Sequence, residues 1–258
     1  MQLQDSLAQF SASGIRIFAI SPDSVEDLAA FAALHGITYP LLSDQRSEVI
    51  RDFGILNTLI RDDEPEYGIP YPGSYLVASD GRVAAKSFHR EYQVREAAPT
   101  VLRSGFGVGA AKPSTAIADR PDSRVAVEVA LGASTLSFMQ RADLYVSLDL
   151  ADGIHVYGRP IPAGYQPIDV RVAAQEGVRV GEAVYAAPRP FRIAGLDEQF
   201  YVYEGRAAVR VPIVLAVRPT DTLTQLTVEV QVRYQACTDK ECFAPTSHNA
   251  LIVVPLQS

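Results

Sequence analysis

The feature that most constrains this chain is a change of hydrophobic period part-way along it. Up to about residue 102, short apolar runs of strand type alternate with stretches whose apolar residues recur at helical spacing. From residue 124 onward the apolar runs alternate with period two, and no helix-length stretch intervenes. A helix buries a stripe and a strand buries every second side chain, so the two parts need different layer arrangements. The chain is therefore read as two domains, 1–102 and 123–258, in keeping with its 258 residues. Residues 103–122 contain Gly105-Phe106-Gly107-Val108-Gly109, Lys112-Pro113-Ser114 and Arg120-Pro121-Asp122, and are read as a linker.

In the first part, Leu3, Leu7 and Phe10 sit at helical spacing, and residues 15–20 (Ile15-Arg16-Ile17-Phe18-Ala19-Ile20) read as a largely buried strand. Ser24-Val25-Glu26-Asp27 resembles a capping box and opens a helix through Ala33, with Leu28, Phe31 and Ala32 as its apolar face. Gly36 ends that helix. A short strand is expected at Leu41-Leu42, a helix over 47–53 stopped at Gly54, and a hairpin of 74–78 with 82–88 across Ser79-Asp80-Gly81. A closing helix is expected over 93–102, with Pro99 counting against it. This order implies a parallel sheet ending in an antiparallel hairpin, an α/β domain. In the second part, runs at 124–129, 143–148, 154–157, 207–211 and 226–234 imply an antiparallel all-β sandwich.

Composition excludes several function classes. The net charge is −7 and no basic run is present, which argues against nucleic-acid binding. No apolar stretch approaches the roughly 20 residues that cross a bilayer, so no membrane span is expected. The opening Met1-Gln2-Leu3-Gln4-Asp5 lacks the basic and apolar regions of a signal peptide. No phosphate loop, Ser-His-Asp order or paired catalytic carboxylates stand out, and no cofactor or metal is expected. His35 and His89 end elements, and His155, in an alternating run, is expected to be half-buried. Tyr67, Tyr71 and Tyr75 are read as core or rim.

Both cysteines of the protein lie in Tyr234-Gln235-Ala236-Cys237-Thr238-Asp239-Lys240-Glu241-Cys242-Phe243-Ala244-Pro245, between two strand-like runs. Four readings fit this spacing. A structural disulfide closing so short a loop would contribute about 2 kcal/mol in the chain-entropy model. A metal site with His248 is short of ligands. Two separate reduced core thiols are a third reading. A redox-active pair on a hairpin is the fourth.

Residues 124–256 resemble the amino-terminal domain of the thiol:disulfide interchange protein DsbD, an immunoglobulin-like sandwich. The resemblance is carried by Asp152-Gly153-Ile154-His155-Val156-Tyr157-Gly158, Leu196-Asp197-Glu198-Gln199-Phe200-Tyr201 and Tyr234-Gln235-Ala236-Cys237 with Cys242. It implies that Cys237 and Cys242 shuttle electrons, as the family's pair does between a membrane partner and periplasmic acceptors. It further implies that Phe200 caps them and that Asp197 and Glu198 tune the thiols, since negative charge disfavours a thiolate. Gln199 stands between the acidic pair and Phe200.

The first hundred residues resemble peroxiredoxins of the AhpC/TSA type, and so the thioredoxin fold. The carrying residues are Ile17-Phe18-Ala19-Ile20-Ser21-Pro22-Asp23, Tyr39-Pro40-Leu41-Leu42-Ser43-Asp44, Phe53-Gly54-Ile55 and Pro72-Gly73-Ser74-Tyr75-Leu76-Val77 with Asp80-Gly81. That family's first strand and reactive cysteine would lie ahead of Met1. The resemblance implies an N-terminally truncated domain whose central strand is missing, with Met1 internal to a longer protein or the gap filled by a partner strand. No residue here matches the peroxidatic cysteine, so peroxidase activity is not expected from this chain alone. Pro72 matches the family's cis-proline. The expected function is thiol–disulfide redox chemistry with a thioredoxin-fold partner, intramolecular or separate. The alternative is a binding or scaffold module with inert cysteines. The sandwich's relatives point to a periplasmic setting.

Overall fold

The protein is described from a computed structural model that covers residues 2–89, 93–98, 100–102, 115–117, 124–192 and 198–257. The chain separates into two compact units, Met1–Ala110 and Ala111–Ser258. The expected linker, 103–122, lies outside the described residues except for 115–117.

The first unit runs α1 (Gln2–Asp5), α2 (Leu7–Ala12), β1 (Ala19–Ser21), α3 (Val25–His35), β2 (Leu41–Ser43), α4 (Glu48–Asp52), β3 (Gly73–Val77), β4 (Val83–Phe88) and β5 (Arg95–Glu96). The start of α3 is set as the sequence implies, with the Ser24 side chain accepting from the Asp27 N–H at 3.0 Å. Gly36 closes α3 at φ 61°, a left-handed position that glycine takes without steric cost. The buried Asp44 carboxylate opens α4, accepting from the N–H groups of Glu48 and Ile50 at 2.9 Å each.

Four expectations for this unit are corrected. β1 pairs with β2 in parallel and β3 with β4 antiparallel, but the two pairs form separate sheets rather than one. The strand expected over 15–20 shrinks to Ala19–Ser21, because Ile15 and Ile17 turn their side chains onto a small core of Phe10, Ala98 and Leu102. The helix expected over 93–102 is extended at Arg95–Glu96, where Glu96 meets His89 at 3.7 Å. Helical backbone begins only at Ala98, with the Ala97 carbonyl accepting from Thr100 and Val101. The Tyr71-Pro72 bond is trans, Arg159-Pro160 being the cis bond among the described residues. Tyr71 donates its N–H to the Ile55 carbonyl at 2.7 Å and leads straight into β3, a path the ordinary trans isomer follows.

The second unit is an all-β sandwich. Its strands are β6 (Thr115–Ile117), β7 (Val125–Leu131), β8 (Leu136–Ser137), β9 (Gln140–Leu150), β10 (His155–Tyr157), β11 (Asp169–Ala174), β12 (Val178–Val180), β13 (Val184–Tyr185), β14 (Arg189–Arg192), β15 (Gln199–Glu204), β16 (Arg206–Leu215), β17 (Gln225–Tyr234), β18 (Ala236–Cys237) and β19 (Thr246–Gln257). One sheet runs β12-β16-β9-β7-β6, with β13 also on β16. A second runs β11-β17-β19-β8 and a third β14-β15-β10-β18. Alternation dictates the core: Leu226, Val228, Val230, Val232 and Tyr234 of β17 are buried, as are Ala142, Leu144, Val146 and Leu148 of β9. One residue, Gln235, separates the long β17 from the short β18, so the chain changes sheets just before Cys237. Among the described residues no helix is long and apolar enough to cross a membrane.

Candidate redox site

Cys237 and Cys242 are joined by a disulfide. Both lie on a hairpin whose turn is closed by the Thr238 N–H donating to the Glu241 carbonyl at 2.8 Å. The Thr238 hydroxyl oxygen accepts from the N–H groups of Lys240 and Glu241, at 3.2 and 3.1 Å. The returning arm is held by the Phe243 N–H on the Ala236 carbonyl at 2.9 Å, and the Arg124 guanidinium lies 3.5 Å over the Phe243 ring. The two cysteines are not equivalent. Cys237 is completely buried and Cys242 is exposed.

Strand register explains what surrounds the buried sulfur. Antiparallel neighbours directly opposite one another project from the same face of a sheet. His155 stands opposite Cys237 on one side and Glu204 on the other, while Tyr157 stands opposite Val202. Phe191 stands opposite Phe200, and Arg189 opposite Val202. One face of the β14-β15-β10-β18 sheet therefore carries Arg189, Phe191, Phe200, Val202, Glu204, His155, Tyr157 and Cys237. Tyr157, Phe200, Val202 and Cys237 form one buried cluster, roofed by Ile161 and Tyr165 from the loop after β10. Phe200 packs 5.6 Å from the Tyr157 ring and 5.1 Å from the Tyr165 ring, centroid to centroid. Arg189 and Glu204 form an ion pair at the rim.

The polar groups of the site are few. The Tyr157 hydroxyl lies 3.3 Å from Cys242 Sγ. Burial, with Tyr165 adding to it, pushes the Tyr157 phenol above its ordinary value, so it stays protonated and able to donate. Gln235 fastens the hairpin to the roof loop, accepting from the Gln166 N–H at 3.1 Å and donating to the Phe243 carbonyl at 3.0 Å. His155 is 2 % exposed rather than half-buried, because its ring packs against Phe191 and edge-on to Tyr157. Burial lowers its pKa below the ordinary histidine value, with Asp239 opposing and Arg189 adding to the shift.

Of the residues expected at the site, the structure brings Phe200 into the cluster that buries Cys237. Glu198 is exposed just ahead of β15, and Asp197 lies outside the described residues. Pro72 belongs to the first unit. His248 takes no part: its Nε2 is 2.9 Å from the Tyr234 hydroxyl in the sandwich core, with the two rings stacked. Nothing local in the sequence marks Tyr157 and His155 as neighbours of the disulfide, whereas Gln235 stands two residues ahead of Cys237. The quoted motifs contain all three, but only the register of β10 against β18 brings the first two to the sulfurs.

The site is thus a disulfide with one buried and one exposed sulfur residue under an aromatic roof, on an all-β sandwich. Residues 124–253 match the family described as thiol:disulfide interchange protein DsbD, N-terminal. That span is just over half of the chain, which belongs to this family. Residues 1–86 match the AhpC/TSA family, so a redoxin-family, thioredoxin-like region precedes the sandwich. A protein of Mycobacterium tuberculosis named as a peroxiredoxin is 31% identical over 90 residues, covering 33% of this chain and 54% of its own length. One of Buchnera aphidicola, also named as a peroxiredoxin, is 30% identical over 79 residues, covering 31% and 49%. The chain spans about half the length of these curated relatives. Among solved structures, the N-terminal periplasmic domain of ScsB from Proteus mirabilis matches with TM-score 0.39 and 14% identity, over 55% of this chain and 51% of that one. The reduced DsbD N-terminal domain of Neisseria meningitidis matches with TM-score 0.35 and 17% identity, over 54% and 95%.

Proposed function

We propose that the second unit is a thiol–disulfide exchange module, in which Cys237 and Cys242 alternate between disulfide and dithiol in contact with a thioredoxin-fold partner. The asymmetry of the pair carries this reading: Cys237 is sealed and Cys242 is exposed on the same bond. Exchange requires a thiolate to reach one sulfur of the disulfide, and Cys242 is the reachable one. A partner thiolate bonds to Cys242 Sγ, the Cys237–Cys242 bond breaks, and its electron pair leaves on Cys237 Sγ, which takes up a proton. The partner's second thiol loses its proton, attacks the partner's own sulfur and releases Cys242, which is protonated in turn. Two electrons and two protons pass from the partner dithiol to the pair, and the reverse sequence returns them. Tyr157 supports the Cys242 thiolate by donating its hydroxyl. Phe200 keeps water from the buried sulfur.

The partner is a dithiol protein of the thioredoxin fold, separate from the redoxin-family region present here. Neither cysteine belongs to the first unit, so that unit supplies no thiol of its own within this sequence. Trapping tests the reading. In Cys237→Ser, Cys242 is first capped as its mixed disulfide with thionitrobenzoate. The single thiolate of a thioredoxin-type protein whose second cysteine is changed to serine is expected to displace thionitrobenzoate and stay bonded to Cys242, visible on a non-reducing gel and lost on reduction. Cys242→Ser is expected to trap nothing. No trapping by either variant favours a docking module with an inert staple, and equal trapping by both removes the asymmetry that carries this reading.

A further inference from the structure

The exchange sequence leaves one neighbour of the buried sulfur without a task. His155 is the residue directly opposite Cys237 in the β10–β18 ladder. Opposed antiparallel residues hold their Cβ atoms about 4.5–5.5 Å apart on one face. The imidazole is held at 4.7 Å against Phe191 and at 5.7 Å edge-on to Tyr157, centroid to centroid, so its orientation is fixed by packing. Its Nε2 is shut away from solvent and has no hydrogen-bond partner among the described residues. An unpaired buried polar atom costs about 1–3 kcal/mol. Phenylalanine would fill the same aromatic niche without that cost, so the nitrogen calls for an explanation beyond packing.

Chemistry supplies one. Cys237 has to ionise before it can attack Cys242 and expel a bound partner, and burial raises the pKa of a thiol. At neutral pH the sealed thiol needs a base within its own cluster. We propose that His155 is the proton carrier of Cys237, its Nε2 taking the thiol proton when Cys237 attacks and returning it when Cys237 leaves. The inference rests on the exchange reading above. In the oxidising direction, the Cys237 proton moves to Nε2 and the sulfur's electron pair forms the bond to Cys242 Sγ. The bond from Cys242 to the partner breaks, and its pair leaves on the partner's sulfur, which takes a proton from water. The imidazolium then passes its proton to solvent.

The surroundings suit a base that is neutral at rest. The titratable and charged groups facing His155 are Cys237 on β18, Tyr157 on its own strand, Glu204 opposite it on β15, Arg189 on β14 and Asp239 in the hairpin turn. Arg189 and Glu204 are already paired with each other. Burial is the largest influence and holds the ring neutral, while Asp239 favours the imidazolium once it forms.

The test uses the full chain, reduced and mixed with oxidised glutathione, with acid-quenched samples read by mass spectrometry. Cys242 acquires glutathione first, and Cys237 then expels it to form the disulfide. In His155→Phe the adduct is expected to form at the wild-type rate and to resolve about 100-fold more slowly near pH 7, the low end of what a positioned base contributes. That deficit should close as pH rises into the thiol range. In the wild type, the resolving step should slow as pH falls through a titration below the ordinary histidine value. Unchanged resolution in His155→Phe overturns the proposal. So does a wild-type profile that follows one alkaline thiol titration alone, which needs no variant to fold. A wild-type chain that forms no adduct at Cys242 overturns the exchange reading itself and this role with it.

Discussion

In the first unit the longest helix, α3, buries none of its residues and leaves Phe31 and Leu34 44% and 79% exposed. The sheet beside it has two strands of three residues each, too little surface to cover an amphipathic face. In the second unit, β9 lies between β7 and β16 along most of its length and buries Ala142, Leu144, Val146 and Leu148 almost completely. Strand supply makes the difference. A helix can carry the right apolar stripe and still lack a layer to bury it, whereas long paired strands build their own dry interior. Only such an interior can seal one sulfur of a disulfide while presenting the other, and both cysteines lie in the unit that has it.

Substitutions of phenylalanine on the two sides sharpen this contrast. Phe200→Ala empties a fully buried site and is expected to cost the second unit about 3–5 kcal/mol. Phe31→Ala, at a half-exposed site, is expected to cost the first unit less than about 1 kcal/mol. Urea unfolding of the full chain with hydrogen exchange resolved by unit reads both. Comparable losses would break the contrast.

A smaller effect is expected from pH. The His155 pKa is lowered on folding, so the unfolded chain binds the extra proton first as pH falls. The stability tied to this group is fully present above the ordinary histidine value, about 6.5. It is lost as pH drops from there toward the lowered folded value. His155→Phe should remove that part of the dependence in the second unit. A slope of the opposite sign in the wild type would show that the ring is charged when folded.

A local effect is expected from Gln235→Ala, which removes two hydrogen bonds, to Gln166 and Phe243. Each is worth about 1 kcal/mol net. The expected sign is faster hydrogen exchange in the roof loop and the hairpin, with the sandwich core unchanged.

The broad plan was legible in the sequence because periodicity is a local property. The switch from helical spacing to period two separates the thioredoxin-like region from the sandwich, and the cysteine pair marks the site before any strand is placed. What stayed hidden depends on neighbours distant in sequence. The apolar residues of α3 announce a buried face, but the narrowness of the sheet beside them is a tertiary fact. Alternation puts His155 and Tyr157 on one face of β10, yet only its register with β18 turns that face toward Cys237. The inequality of the two sulfurs follows from the change of sheet at Gln235, which takes Cys237 into the cluster and leaves Cys242 on the returning arm. The trans Tyr71-Pro72 bond likewise reflects its hydrogen-bonded path from Ile55 into β3.

The central claim is that Cys237 and Cys242 form a working couple. Equilibrating the full chain in buffers of reduced and oxidised glutathione, then trapping free thiols with an alkylating agent and weighing the products, tests it most directly. The account predicts one reversible two-electron transition, reached from either the oxidised or the reduced side, with both cysteines changing state together. A pair that stays oxidised at every ratio, or reaches different end points from the two sides, would contradict it.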